Sequence, residues 1–398
     1  MCEHRGVSSP SIIAPLPPGD RPRLRFDRNE WSGAFGDMGT DFPLIAGMIL
    51  AAGLDPTGVL IAFGLMQITT GLIYRMPMPV QPLKAMAVLV IAQKATGSVL
   101  FGAGLAIAIM MLTLSATGLL DVLARTIPKA VVRGIQFGLG LQLAQLALKD
   151  YLPADGNAGY VLGAISFVVI LALLGNRRFP PAMFVITLGI LFAVFWKGAG
   201  VGWLHTLGVA MPKLHLPTRQ DVWTGFLLLA IPQIALSLGN SVLATKQLAN
   251  DLFPERRLTI RKIGFTYSLM NFVNPFLGGV PTCHGSGGMA GHYAFGGRTG
   301  GSVIIYGLFY LFLGVFASGA FQQVVVFFPK PMLGIILVFE AVALILLLRD
   351  LSASKSELAI AVFAGLMAVT LPYGYVIALV AGTAIFYLAQ KRLEHLPR

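Results

Sequence analysis

Two stretches decide how this chain reads: Pro77-Met78-Pro79-Val80-Gln81-Pro82-Leu83-Lys84 and Val280-Pro281-Thr282-Cys283-His284-Gly285-Ser286-Gly287-Gly288. Each interrupts an apolar run with prolines or glycines, so each is expected to run extended and then open a short helix. Pro79 and Pro281 stand 202 residues apart, about half of the 398-residue chain. Broken hydrophobic segments in corresponding positions of two halves point to a transporter's binding site. The expectation is a protein that carries a solute across a membrane.

Composition supports this. The chain is 56% hydrophobic and 12% charged, against about 25% charged residues in soluble domains, which indicates a polytopic membrane protein. The formal charge of +12 does not imply nucleic acid as a partner, because the basic residues sit in short loops and tails. Such residues orient membrane helices, and the lipid bilayer is the partner they imply. Cys2 lies in a polar tail and Cys283 in the second break, so no disulfide framework is expected. Residues 1–29 hold five arginines and no apolar run, and read as a disordered basic cytoplasmic tail.

Apolar spans near 30–52, 57–74, 99–121, 128–148, 158–175, 180–197, 223–246, 260–277, 299–321, 328–348, 357–370 and 372–390 read as membrane helices. Half-helices near 83–95 and 285–296 bring the count to fourteen. Pro128-Lys129 and Pro329-Lys330 repeat at an offset of 201, each followed by Gly-Ile, which suggests seven segments per half. With both termini inside, 22 cations fall on the cytoplasmic side and 6 outside, as the positive-inside rule requires. An odd number of segments per half makes the repeats inverted. Residues 198–222 then form the outer linker.

The helices that follow the breaks should present unpaired N–H groups and the positive ends of their dipoles toward one another at mid-membrane. That makes an anion site without any fixed charge. The first break contributes Gln81 and Lys84, and the second Cys283, His284, Gly285, Ser286 and Gly287. A cation beside a helix N-terminus is misplaced unless an anion or a carboxylate lies between them; alternatively Lys84 reaches the membrane edge. On the first span, Glu30, Gly33, Asp37 and Asp41 recur at helical spacing and share one face, with Ser32, Gly36 and Thr40 forming a small-residue stripe. Intramembrane carboxylates mark ion or proton pathways, so Asp37 and Asp41 are candidate coupling groups; Asp37 is otherwise a structural acceptor. Glu30 is expected at the interface with little role. Gln233, Ser237, Asn240 and Ser241 share a face on the span after the linker. They either hydrogen-bond an oxyanion or tie helices together. Glu340 is a further buried acid standing alone. His284 and His292 lack companions for a metal, and neither a metal nor another cofactor is expected.

The segments Glu30–Thr40, Pro77–Lys84, Pro128–Gln136, Pro232–Ser241, Asp251–Pro254 and Pro281–Gly291 resemble the molybdate transporter family of plants and microbes, a branch of the sulfate permease superfamily. The likeness runs from about residue 26 to 345. It implies an all-α polytopic membrane protein, with 14 transmembrane segments in a 7+7 inverted repeat. Residues 30–122 and 223–322 would form a core domain, and 123–200 and 323–390 a gate domain. Residues 201–222 would be the outer linker and 391–398 a short cytoplasmic tail, with no room for a regulatory domain after 390. The resemblance further implies a tetrahedral oxyanion (molybdate, or sulfate second) held between the two half-helix tips, and a homodimer. A proton-coupled symporter in a cell membrane, working by alternating access, is the expected function, and an enzyme is not. Two residues depart from the family pattern: Asp41 stands where an apolar residue is usual, and Ala294 where an arginine is frequent. A nucleobase transporter of the same fold would carry an acid on the span 223–246, where this chain has Gln233 and Asn240. An anion channel is the other alternative.

Overall fold

The computed structural model describes residues 23–173, 181–195, 205–256 and 258–394. The tail up to residue 22, and Arg177, Arg178, Lys197, Arg257 and Arg398 among the cations counted above, lie outside the described residues. The end of the expected disordered tail is anchored instead: the Arg25 amide donates to Thr299 Oγ1 at 3.2 Å.

The first half runs α1 (Arg28–Ala34), α2 (Met38–Ala52), α3 (Pro56–Tyr74), β1 (Val80–Pro82), α4 (Lys84–Gln93), α5 (Gly97–Thr117), α6 (Leu119–Thr126), α7 (Lys129–Leu146), α8 (Gly156–Leu173) and α9 (Pro181–Phe195). The second runs α10 (Arg219–Gly225), α11 (Ile231–Leu236), α12 (Thr245–Leu252), α13 (Ile260–Val273), β2 (Thr282–His284), α14 (Ser286–Ala294), α15 (Gly301–Phe316), α16 (Ser318–Phe327), α17 (Lys330–Leu346), α18 (Lys355–Thr370) and α19 (Gly374–Glu394). The π-helical turns Phe226–Ala230 and Ser237–Ala244 join α10, α11 and α12. The all-α expectation is amended by one feature: β1 and β2 pair as a two-stranded antiparallel ladder.

Local chemistry sets the helix ends. Asp55 accepts the Thr57 amide at 3.0 Å, and Pro56 opens α3 without wasting a donor. Gly118, at φ 76°, ends α5 and turns the chain into α6. The first span is not one helix, so Glu30 and Asp41 do not share a continuous face. It breaks between Ala34 and Met38, where Gly36 packs backbone to backbone on Gly291 of α14. Only glycines permit that approach.

Among the described residues, six helices are long and apolar enough to cross a bilayer, or up to eight if each of two bent pairs is one span. The remaining expected segments are short: α2, α9, α13 and α18 span 15, 15, 14 and 16 residues, and the half-helices α4 and α14 only 10 and 9.

The helices pair in matching ways across the halves. α3 lies along α15, and α5 lies along α13. Ser268 of α13 donates to the Ala108 carbonyl of α5 at 2.7 Å. A second group forms around α7, which packs on α17 and α18, with α19 against α18. Lys129 and Arg133, in the first turns of α7, pair with Asp350 just beyond α17. These two helices therefore run antiparallel. The described part of the linker is held by backbone bonds, Ala210 to Val315 at 2.7 Å and His215 to Phe276 at 2.9 Å.

Candidate functional site

At the crossing of the breaks, Val80 faces His284, Gln81 faces Cys283 and Pro82 faces Thr282. Extended backbone at this depth needs partners for every polar group. Two side-chain amides supply them. Gln67 of α3 donates to the Val80 carbonyl at 2.7 Å and accepts its N–H at 2.9 Å. Asn271 of α13 does the same for Thr282, at 2.6 and 2.9 Å. Gln67 and Asn271 lie 204 residues apart, close to the offset of the breaks themselves. They were not singled out from the sequence, although a polar amide in an apolar span at the repeat offset is a usable signal.

The two helix tips differ. At α4, the Gln233 side-chain oxygen accepts the Ala85 and Met86 amides at 3.0 and 3.3 Å. That tip is already capped from within, which corrects the expectation of two equivalent amide-lined tips. At α14 the N-cap residue is Gly285, with no side chain to cap the helix. Ser286 Oγ donates to Asn240 Oδ1 at 3.0 Å. A Cβ placed on Gly287 would meet nothing within 4 Å, whereas one on Gly288 would strike Asp37 and Pro79. Gly287, Ala290 and Ala294 make one exposed face leading away from the tip. The α14 tip therefore borders open space.

Both tips lean on one bent stretch of helix: α4 on Gln233 of α11, and α14 on Asn240 in the π-helical turn seven residues further on. With the α4 amides taken by Gln233, an anion in the open space would find free amides at the α14 tip alone, with the Lys84 ammonium on the α4 side. A separate cavity of about 240 Å³ lies between α4, α11 and the α18–α19 turn, lined by Leu89, Gln142, Pro232, Tyr373 and Tyr375 among others.

Four acids surround this region or support it. Asp37 is buried and accepts the Gln81 amide on both oxygens, at 2.8 and 2.7 Å. Asp41 is fully buried and accepts from Tyr306 at 3.1 Å, while its Oδ1 has no partner. Glu340 of α17 forms an ion pair with Lys84. Of the readings open for Lys84, a carboxylate partner is the one present, and it is an acid from the other half of the chain. Glu30 is not an interfacial bystander. It is 1% exposed and accepts the backbone amides of Arg298, Thr299 and Ser302 at 3.0, 2.8 and 2.9 Å, which caps the start of α15.

The remaining candidates divide. Gln81 is 1% exposed, with its amide on Asp37 and Gly285 packed against its side chain, whereas Lys84, Asn240, Ser286 and Gly287 are partly or fully accessible near the α14 tip. Ser241 and Cys283 lie just behind it, both nearly inaccessible and in mutual contact. His284 leaves the set: its ring is buried, with Nε2 2.7 Å from Thr266 Oγ1 and Tyr74 packed edge-on. Gln233 ties helices together, accepting from α4 and donating to Ser237 at 3.1 Å. Among the described residues, no group of three or more His, Cys, Asp and Glu is placed to hold a metal.

A bilayer-spanning bundle with two crossed breaks and a polar gap between half-helix tips defines a membrane transporter. A family model described as "Molybdate transporter of MFS superfamily" matches residues 29–143 and 225–344. Molybdate transporter 2 of Arabidopsis thaliana is 32% identical over 406 residues, covering 87% of this chain and 86% of the relative. Molybdate transporter 1 of Chlamydomonas reinhardtii is 27% identical over 474 residues, covering 90% and 88%. The chain belongs to the molybdate transporter family, and it is a multi-pass membrane transporter rather than an enzyme. Its fold is similar to solved SLC26A9, with a TM-score of 0.68 at 15% identity over 91% of this chain and 65% of that one. It is also similar to the transmembrane domain of the cyanobacterial bicarbonate transporter BicA, with a TM-score of 0.64 at 15% identity over 90% and 96%. The chain thus spans about two-thirds of the length of SLC26A9.

Proposed function

We propose that this protein is a secondary transporter for a tetrahedral oxyanion, molybdate first and sulfate second, working by alternating access in a cell membrane. The observation that carries the reading is the uncapped α14 tip, which opens into accessible space opposite the Lys84 end of α4. The amides of a helix start and a nearby ammonium suit an oxyanion. The molybdate relatives by name make that ion the first candidate.

In this reading the elements form fourteen segments in two inverted sets of seven. The pairings α3 with α15 and α5 with α13 support a two-fold that exchanges the halves. Residues 30–122 and 223–322 are the moving core, and 123–200 and 323–390 the gate; a homodimer is carried over from the family resemblance. Both termini are cytoplasmic. In this orientation the exposed face of α14 runs toward Arg298 on the cytoplasmic side, so the site opens inward, and the cavity by Tyr373 lies on the outer side.

Importing a dianion against 100 mV costs about 4.6 kcal/mol, since each charge costs about 2.3. Protons are the coupling ion, and Asp37 and Asp41 are the acids proposed to carry them. The test is uptake of labelled molybdate into vesicles with an imposed pH gradient, competed by sulfate. Saturable uptake that follows the gradient supports the reading. Linear, non-competed flux would favour an anion channel and sink it.

A further inference from the structure

The Lys84–Glu340 ion pair joins two groups of helices. α4 packs on α2 and α11, beside the breaks, and α17 chiefly on α7 and α8; the two groups also touch where α17 meets α2 and α4 meets α7. Both side chains are mostly shielded, at 14% and 17% exposure. Every charged group around the pair belongs to one cluster. From α2, Asp37 and Asp41 lie within electrostatic range of both partners, and Thr40 Oγ1 donates to Glu340 at 3.4 Å. The Cys283 thiol faces Lys84, and Tyr306 faces Asp41. α8 and α9 carry no Asp, Glu, Lys or Arg. The cations of α7, Lys129 and Arg133, are engaged by Asp350. The turn Ala147–Tyr151 meets α17 at Gly334, with Lys149 and Asp150 exposed on its far side.

The cluster thus holds three carboxylates and one ammonium. A doubly charged oxyanion arriving at the α14 tip raises the negative charge further. Its strongest available attraction is Lys84, and Lys84 is already engaged. Shielded carboxylates that lose a cationic partner and face like charges favour the protonated form.

We propose that Glu340 is the substrate's internal competitor. In the empty site it neutralises Lys84; an arriving oxyanion takes Lys84 from it, and Glu340 then takes up one proton. The proton comes from water on the side to which the site is open and binds a Glu340 carboxylate oxygen. The charge of the site changes by −2 from the anion and +1 from the proton. Among the described residues, Lys84–Glu340 is the one ion pair between α4 and α17, and anion binding releases it, so the core moves against the gate when loaded. This deepens the oxyanion reading and rests on it.

The experiment uses the full chain, purified in detergent, with molybdate, sulfate and chloride as separate probes. Proton uptake on anion binding is read with an indicator dye in weakly buffered solution. Glu340→Gln is expected to take up one proton fewer per anion than the unaltered chain. Its affinity should vary with pH by one decade less per pH unit, as linkage requires, and Glu340→Asp should restore both. A second measurement needs no variant: infrared difference spectra should gain a protonated carboxyl band on anion binding, and carbon-13 labelling of glutamate should shift it, which separates it from Asp37 and Asp41. An unchanged proton count in Glu340→Gln, or a band insensitive to glutamate labelling, overturns the proposal. Binding of sulfate or chloride without molybdate overturns the substrate assignment alone, and the Glu340 comparison then runs on the anion that binds. Absence of binding by all three overturns both.

Discussion

Gln81 donates its side-chain amide to both carboxylate oxygens of Asp37, at 2.8 and 2.7 Å. That single relationship ties the first break to the entrance of α2. It also fixes α14, because the same carboxylate lies against Gly288, where a Cβ would strike it. The site is thus held by three segments that are distant in sequence.

Adjacent glycines at the α14 tip should respond in opposite ways. Gly288→Ala forces its methyl into Asp37 and Pro79, and overpacking of this kind costs about 1–3 kcal/mol. A lower melting temperature in detergent is the expected result. Gly287→Val fills open space, so the fold should melt close to the unaltered chain while oxyanion uptake falls at least tenfold. Melting curves and vesicle uptake on the same two preparations check both halves of the statement.

Asp37→Asn keeps the shape of the carboxylate and one acceptor for Gln81, but removes the titrating group. Gradient-driven uptake by this variant should fall well below that of the unaltered chain while the protein remains folded, the proton taken up at Glu340 being the one that is left. Gradient-driven uptake equal to that of the unaltered chain would remove Asp37 from the coupling role.

Glu30 should matter for stability and not for transport chemistry. Three backbone amides converge on its carboxylate, and hydrogen bonds to a charged group contribute about 1.5–3 kcal/mol each. Glu30→Ala leaves those donors buried and unpaired, so a large drop in melting temperature is expected. Glu30→Gln should fall in between. A melting temperature unchanged in Glu30→Ala would contradict the capping role.

Outside the membrane, Asp221 closes a capping box with Thr218, and the Thr218 hydrogen bonds hold its carboxyl below the ordinary range. A carboxyl depressed in the folded state stabilises above its unfolded pKa, about 3.9, and loses that contribution as pH falls through the folded value. The group is exposed, so the effect is small. The difference in melting temperature between the unaltered chain and Asp221→Asn should be constant above about pH 5 and shrink toward pH 3.

The breaks were legible because proline and glycine interrupt an apolar chain in a way no continuous helix tolerates. Their extended course and the short helices after them follow from that punctuation. The partners were not legible. Glu340 meets Lys84 across 256 residues, and nothing local to a lone glutamate announces a cation from the other half. Gln233 carries the same chemistry whether it binds an anion or caps α4, and only the position of α4 decides. Helical spacing of Glu30, Asp37 and Asp41 suggested a continuous face, but the contact of Gly36 with Gly291 divides the helix. Backbone-to-backbone approach is a tertiary fact that periodicity does not encode.

The most direct test is a structure with tungstate, the heavy counterpart of molybdate, located by its scattering. The account predicts one tungsten site between the α14 tip and Lys84, within hydrogen-bond reach of the Ser286 and Gly287 amides. Tungsten in the cavity beside Tyr373 alone, with the α14 tip empty at saturating concentration, would contradict it.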